Sequence, residues 1–433
     1  MSSTAPAPAA TAADSVGRWP AVLCWLAVAL EGFDLVVLGA VIPELLATQA
    51  LGFTPAAATL VATLSLVGVG SGAVAVGPVV DRIGRRWTII ACVIGFSLFT
   101  LFVAFAPNVA LFTLFRFIAG IFLGAVMPSC LAYISEYSKS GKTGKATTLT
   151  MTGYHAGAVG ISLLAVAYSH NWHLLFAAGG LAGLLMVPLL WWKLPESEAF
   201  RIAQEAKRNP AAASATVTEA IDPAGHVDAK AKSGMAGLFE GRLALVTIGV
   251  WASSFMGLLL VYGLNTWLAG IMFSAGFPLG SSLTFLLVLN AGAIIGAPAG
   301  GALADRFGSR PVVTTMFVIA MSCILLMSLE PPTALLYLFV ALAGACTIGT
   351  TILVNSYTGN FYPAALRATG LGWALAIGRI GAIVGPIYGG LVMASGLGIA
   401  VNFYAFALPA LIGAIAVLVV PRSKAAPPQT RDS

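Results

Sequence analysis

Four charged side chains lie in the interior of long apolar segments, away from their ends, and these are the residues most able to do chemistry. Arg116 and Arg379 are the only basic residues within such segments, and Glu31 and Asp34 interrupt the first segment. An ionisable group in hydrocarbon costs at least ~2.5 kcal/mol, so it normally faces a polar cavity. Guanidinium groups bind anions, and carboxylates exchange protons. The four residues therefore predict a cavity for an anion in which protons are also exchanged.

The elements that position these residues are predicted to be membrane-spanning helices. Hydrophobic residues make up 59% of the 433 residues and charged residues 9%, a composition that excludes an ordinary soluble protein. A spanning helix needs roughly 20 apolar residues, and the apolar segments are too long for the strands of a membrane barrel. The twelve predicted spans cover 20–45, 55–79, 87–106, 109–135, 146–168, 172–192, 243–270, 281–303, 311–329, 333–358, 368–392 and 398–420.

The basic residues outside the spans all fall on one side of the predicted membrane. The loops on the other side contain no Lys or Arg. Because Lys and Arg concentrate in cytoplasmic loops, we expect both termini and the central loop to be cytoplasmic, in the cytoplasmic membrane of a bacterium. The net charge of +6 then reflects topology and contact with the lipid bilayer, and no nucleic-acid partner is expected.

The cysteines and the N-terminal stretch add no further site. Cys24, Cys92, Cys130, Cys323 and Cys346 all lie in predicted spans without paired spacing, so neither a disulfide nor a metal site is predicted. Residues 1–18 are rich in Ala, Pro and Thr and lack the basic segment of a signal peptide, which predicts a disordered cytoplasmic tail.

An internal repeat divides the chain into two halves. GPVVDRIGRR, from Gly77 to Arg86, follows the second predicted span, and GGALADRFGSR, ending at Arg310, follows the eighth. Halves related by a repeat are typical of a transporter whose substrate site lies between them near the midplane. The predicted parts after the N-terminal tail are a six-helix bundle at 19–193, a cytoplasmic loop at 194–240, a second six-helix bundle at 241–421 and a cytoplasmic tail at 422–433.

On these motifs the chain resembles the major facilitator superfamily from about Trp19 to Val420. The resemblance implies an all-α integral membrane protein of twelve helices in two pseudo-symmetric six-helix halves. Glycines in the repeated loop allow tight turns, and its charges can pair to hold the cytoplasmic side closed; alternatively, they only set topology. The candidate gate residues are Gly77, Asp81, Arg82, Gly84, Arg85, Arg86, Asp305, Arg306 and Arg310.

Within that superfamily the chain is similar to the aromatic acid:proton symporters. LEGFDLVVLGAVIPEL in the first span carries Glu31 where an Asp is usual in that family, and RFIAGIFLGAVMP begins at Arg116. LPESEAF after the sixth span and FYPAALRATGLGWALAIGRIG from Phe361 also match. The resemblance implies import of a small aromatic carboxylate with protons, without a cofactor, by a functional monomer. Benzoate, hydroxybenzoates, protocatechuate and gentisate stay open as substrates, as do non-aromatic organic anions.

The predicted depths bring the charged residues together. At ~1.5 Å per residue, Asp34 lies ~13 Å from the outer end of its helix, a depth that overlaps that of Arg116. Glu31 and Asp34 share one helix face, and Arg379 and His155 lie near mid-depth. Asp34, then Glu31 and His155, are the candidate proton-coupling residues. The alternatives are that the charged residues form structural ion pairs and that His155 is a packed neutral histidine.

Uncharged residues complete the predicted pocket. Asn290 lies near the centre of the eighth span, where its amide can bond a substrate hydroxyl. Tyr154, Phe255, Tyr262 and Trp373 are candidate aromatic contacts, against the alternative that they only pack. These join Arg116 and Arg379 as candidate substrate-binding residues.

Other residues in the spans are expected to be structural. Trp19 and Trp267 lie near span ends and are predicted to be interfacial anchors. Two series of glycines are predicted to allow close helix contacts. They are Gly292, Gly296 and Gly300, and Gly378, Gly381, Gly385 and Gly389.

Three other functions compete with import. An exporter of drugs or metabolites typically carries G-x-x-x-G-P-x-x-G-G in its fifth helix, whereas here that pattern runs from Gly381 to Gly390 in the eleventh. A sensor on a transporter scaffold would have a large appended domain, and the loop at 194–240 is too short for one. An enzyme is not expected, because no catalytic group or metal cluster lies at the membrane surface.

Overall fold

The computed structural model describes residues 19–137, 143–208 and 235–420. Twelve of its helices are long and apolar enough to cross a membrane, which confirms the predicted spans. The predicted tails and residues 209–234 of the predicted loop lie outside the described residues. The first half contains α1 (Trp19–Thr48), α2 (Pro55–Ile83), α3 (Arg85–Ala104), α4 (Val109–Tyr137), α5 (Thr143–Ala167) and α6 (Trp172–Lys193).

A short polar helix and a second set of six long helices follow. The predicted loop is partly helical, since α7 (Glu198–Arg208) lies within it and a 3₁₀ turn covers Met235–Phe239. The second half contains α8 (Arg242–Ser274), α9 (Leu279–Phe307), α10 (Ser309–Met327), α11 (Thr333–Phe361), α12 (Ala364–Ala394) and α13 (Ile399–Val419).

The helix ends follow from local sequence. Thr54 accepts a hydrogen bond from the Ala57 amide and Pro55 begins α2, the usual residue types for an N-terminus. Gly84 (φ 93°) and Gly308 (φ 87°) separate α2 from α3 and α9 from α10. Because that backbone region favours glycine, the repeated loop makes the same sharp turn in both halves.

The two halves pack in the same way. In the first half, α1 packs on α5, α2 on α4, and α3 on both α4 and α6; in the second half, α8 packs on α12, α9 on α11, and α10 on both α11 and α13. This correspondence confirms the pseudo-symmetric fold predicted from the repeated loops. The halves touch each other mainly through α1 with α8, α2 with α12 and α5 with α9.

Glycines set the closest helix contacts, as predicted. A Cβ at Gly381 on α12 would overlap the backbone of Phe255 on α8, and one at Gly157 on α5 would overlap that of Ala29 on α1. The other members of both predicted series also face neighbouring helices at close range. Gly77 is different, because nothing lies within 4 Å of its Cβ position, so close helix approach does not explain this glycine.

The halves meet at one end of the bundle, here called the neutral end because its described loops contain no Lys or Arg. Gly39 on α1 lies against the backbone of Asn265 on α8, and Gly390 on α12 lies against Thr59 near the start of α2. A continuous apolar core joins both halves there. The buried residues of a separate core towards the opposite, basic end all belong to the first half. The halves are therefore closed against each other at the neutral end.

Trp267 corrects one expectation. Its side chain is fully buried and its Nε1 donates to the Pro386 carbonyl at 2.9 Å. The indole faces α12, where Gly389 leaves room for it. Trp267 is therefore a core contact, and the prediction of an interfacial anchor is wrong; Trp19, 46% exposed, lies at the basic end.

The glycine contacts give a stability prediction. Gly296→Ala places a methyl group against the backbone of Ala345 on α11, and such overpacking costs ~1–3 kcal/mol. We expect a lower melting temperature in detergent. Gly301→Ala is the control in the same helix, because nothing lies within 4 Å of its Cβ position. Equal melting temperatures for the two variants would contradict the packing described for α9.

Candidate functional site

A buried ion pair joins α1 and α4 near the middle of the first half. The Arg116 guanidinium donates from Nη1 to Asp34 Oδ2 at 2.7 Å and from Nη2 to the Asp34 carbonyl at 3.1 Å. The two side chains are 1% and 2% exposed. Asp34 and Arg116, whose predicted depths overlap, are therefore in direct contact, and both partners are removed from water.

Two neighbouring helices complete the surroundings of the pair. Thr100 on α3 donates from Oγ1 to Asp34 Oδ1 at 2.6 Å, so each carboxylate oxygen accepts a hydrogen bond. Phe176 on α6 lies 5.7 Å from the Arg116 guanidinium, ring centre to Cζ. The Arg116 Nε atom is buried without a partner among the described residues. The arginine therefore keeps an unused donor while Asp34 is fully engaged.

Glu31 has a different environment one helical turn earlier. Its side chain is 2% exposed, and its Oε2 atom has no hydrogen-bond partner among the described residues. Arg379 on α12 of the other half lies within electrostatic range of it. Gly32, next to Glu31, lets the backbone of Tyr154 on α5 approach α1 closely. The two carboxylates on this face of α1 therefore interact with arginines from different halves.

A small cavity lies between the halves and reaches the ion pair. Tyr154 from the first half and Tyr262 from the second both line it. Both halves contribute to its wall, which is largely apolar. The lining residues are Leu35, Leu38, Ala62, Ser65, Leu66, Arg116, Tyr154, Tyr262, Asn265 and Thr266.

Asn290 lies behind this wall rather than in it. It is fully buried and donates from Nδ2 to Asn265 Oδ1 at 2.9 Å. Asn265 was missed from sequence, although its position three residues after Tyr262 places the two near one another on α8. Thr100 was also missed, because no motif marks a lone threonine that bonds a carboxylate.

Other predicted residues that lie outside the cavity wall include His155, Trp373 and Phe255. His155 packs its ring edge-on against Tyr154, 5.2 Å between ring centres, and its Nδ1 is buried without a partner among the described residues. Trp373 lies 5.8 Å from Trp251, between ring centres, and is 39% exposed. The backbone of Phe255 lies against Gly381 on α12. Their predicted roles stay predictions.

The candidate gate charges pair within the first half. Arg85 bonds Glu136 at the end of α4, 2.8 Å between Nη2 and Oε1, and lies 3.8 Å from Asp81, Nη1 to Oδ1. Glu196 Oε1 accepts from the backbone amides of Arg85 and Arg86. These contacts tie the α2–α3 turn to α4 and to the segment after α6.

One contact occurs in both copies of the motif. Arg86 donates to the Trp191 carbonyl on α6 at 2.6 Å, and Arg310 donates to the Leu418 carbonyl on α13 at 2.5 Å. Each arginine thus ties the third helix of its half to the sixth. The remaining charged gate candidates, Arg82, Asp305 and Arg306, are exposed at the basic end.

Metal-binding groups do not cluster in the part of the chain that the structure describes. No set of three or more His, Cys, Asp or Glu side chains there could hold a metal ion. All five cysteines are free and buried.

Comparison with known proteins identifies a family and several relatives. The family model described as Major Facilitator Superfamily matches residues 24–299 and 282–433. The gallate transporter of Pseudomonas putida is 34% identical over 92% of this chain and 90% of its own. The benzoate transport protein of Acinetobacter baylyi is 32% identical over 92% of this chain and 88% of its own. The gentisate transporter of Corynebacterium glutamicum is 35% identical over 94% of this chain and 88% of its own.

Solved structures share the fold. A D-xylose-proton symporter superposes with a TM-score of 0.74 over 95% of this chain and 99% of its own, at 18% identity. The xylose transporter XylE from E. coli, in a partially occluded inward open conformation, superposes with a TM-score of 0.73. The match covers 96% of this chain and 100% of its own, at 16% identity.

The hydrogen bond from Thr100 gives a prediction for the ion pair. Thr100→Val keeps the shape of the side chain but removes the donor to Asp34, and hydrogen bonds to charged groups contribute ~1.5–3 kcal/mol. We expect a melting temperature in detergent several degrees below that of the intact protein. Thr88→Val is the control on α3, because Thr88 bonds only the Gly84 carbonyl. Equal losses in the two variants would contradict a specific role for Thr100.

Proposed function

Because the chain belongs to the major facilitator superfamily, we propose that it imports an aromatic carboxylate together with at least one proton. Membership makes it a membrane transporter and not an enzyme. This chain matches the gallate, benzoate and gentisate transporters over nearly their full lengths. These relatives support an aromatic acid as its substrate. The observation that carries the proposal is the buried Asp34–Arg116 pair beside a cavity shared by the two halves.

Arg116 is proposed to bind the substrate carboxylate. A guanidinium group binds a carboxylate through parallel, charge-assisted hydrogen bonds, and here Asp34 occupies that position. The incoming anion therefore competes with Asp34. The aromatic ring then contacts the apolar part of the wall, including Leu38 and Leu66.

Asp34 is proposed to couple the proton to the anion. Once the substrate displaces it, Asp34 lacks its counter-ion in a buried site, and a proton neutralises its charge. Loss of that proton to the cytosol restores the pair with Arg116 and expels the anion. One proton with one monovalent anion moves no net charge.

Glu31 and Arg379 are proposed to link this exchange to movement of the halves. They carry opposite charges, lie on different halves and are within electrostatic range. A proton on Glu31 removes its attraction for Arg379 and changes the balance between conformations. Alternating access by rocking of two repeat-related halves is the general mechanism of such folds.

The basic end is proposed to face the cytoplasm of a bacterium, by the distribution of Lys and Arg. Closure of the halves at the neutral end then corresponds to an inward-facing state. We propose that a monomer completes the cycle, because both halves of the cavity come from one chain.

The first functional prediction concerns Arg116. We expect proteoliposomes to take up labelled benzoate, 4-hydroxybenzoate, protocatechuate or gentisate when an inward proton gradient is imposed. Arg116→Ala should abolish this uptake because the anion loses its partner. Arg242→Ala, at an exposed arginine at the start of α8, should transport like the intact protein. Gradient-dependent uptake by Arg116→Ala would contradict the proposal, and outward movement of the acids would favour an exporter.

A second prediction separates the role of Glu31 from that of Arg116. Glu31→Gln keeps the anion site but removes the charge that Arg379 attracts, so exchange of labelled for unlabelled substrate should continue. Net gradient-driven uptake should fall about tenfold, as expected if ~1.4 kcal/mol of attraction is lost. Glu205→Gln, on an exposed face of α7, is the control. Equal loss of exchange and net uptake would mean that Glu31 belongs to the anion site.

A further inference from the structure

The Asn265 and Asn290 side chains form a buried amide pair whose hydrogen-bonding capacity is incompletely used. Asn290 Nδ2 donates both its protons, to Asn265 Oδ1 at 2.9 Å and to the Leu286 carbonyl at 3.0 Å. Asn265 Nδ2 donates one proton to the Val261 carbonyl at 2.8 Å. Asn290 Oδ1 is buried without a partner among the described residues. The pair thus retains an unpartnered acceptor, and Asn265 has a second amide proton.

A hydroxyl group matches this remaining capacity. It donates one hydrogen bond and accepts others, so it can pair with an unpartnered amide oxygen or with a free amide proton. A buried amide oxygen without a donor is unfavourable because it has lost its water. Binding a hydroxyl restores a hydrogen bond there, whereas a ring without a hydroxyl leaves the oxygen unpaired.

The amide pair reaches the proposed substrate cavity through Asn265. Asn265 lines the same cavity as Arg116, and apolar side chains such as Leu35 and Leu38 line the cavity with them. The Arg116 guanidinium suits a carboxylate, the Asn265 amide suits a hydroxyl and the apolar side chains suit an aromatic ring. Together they fit an aromatic acid that carries a ring hydroxyl. Asn265 belongs to the second half and Arg116 to the first.

We propose that the Asn265–Asn290 pair recognises the ring hydroxyl of a hydroxylated aromatic carboxylate and sets the preference for it over the unsubstituted acid. This inference rests on the proposed function and narrows its substrate class. A hydroxylated acid contacts polar groups of both halves, while benzoate has a polar contact only with the first. The amide pair also lies beside the contact between Gly39 and the Asn265 backbone, where the two halves close against each other.

The test compares uptake of benzoate with that of 2-, 3- and 4-hydroxybenzoate in proteoliposomes under one inward proton gradient. The intact protein should favour at least one hydroxybenzoate over benzoate by about tenfold or more in kcat/KM, because a site built to bond a hydroxyl rejects the analogue without it. Asn290→Leu has a similar volume and no amide, so the preference should shrink to about twofold or less.

Two further variants keep the test decisive. Asn265→Ala removes the amide that lines the cavity and should also reduce the preference, which covers a failure of Asn290→Leu to fold. Asn402→Leu on α13 is the control, since Asn402 Oδ1 also lacks a partner within the described part of the chain but does not line the cavity. It should keep the preference of the intact protein.

The outcomes separate this inference from the proposed function. Benzoate uptake equal to that of every hydroxybenzoate in the intact protein would overturn the hydroxyl site and leave aromatic acid import standing. An unchanged preference in folded Asn290→Leu and Asn265→Ala would overturn it as well. If no aromatic acid entered under any gradient, the proposed function would fail, and this inference with it.

Discussion

The structure depends most on a full negative and a full positive charge held together away from water. Arg116 and Asp34 are almost completely buried, and removing either charge would leave the other without compensation, which typically costs ~3–5 kcal/mol. A buried pair contributes little net stability, because desolvation offsets most of the attraction. In the proposed mechanism its value lies in exchange: a second carboxylate replaces the first at the guanidinium, and a proton neutralises the displaced one.

The fold places that exchange where the halves can respond to it. The two halves repeat the same helix packing, and α1 and α8, their first helices, touch beside the cavity through Gly39 and Asn265. Asp34 interacts with an arginine of its own half and Glu31 with one of the other half. In the proposed mechanism, charge changes on one face of α1 therefore act on ligand binding and on the relation between the halves.

Sequence alone predicted the features that hydrocarbon imposes on a chain. Twelve spans and the overlapping depths of Asp34 and Arg116 follow from the cost of polar groups in lipid and from helix rise, and the repeated loops predict two similar halves. Side-chain direction could not be predicted in the same way. Trp267 lies near a span end but turns inward to bond Pro386, and Asn265 joins the cavity through packing between halves that no local pattern records.

The most direct test of the proposed exchange is binding of labelled 4-hydroxybenzoate to purified Asp34→Asn in detergent, with proton uptake followed in weakly buffered solution. Because the neutral amide of this variant would no longer compete as a charged group for Arg116, we expect tighter binding than in the intact protein. We also expect the intact protein to take up protons on binding and the variant not to do so. Binding that is lost in the variant, or that takes up protons equally in both proteins, would show that Asp34 holds the helices together without competing for the anion.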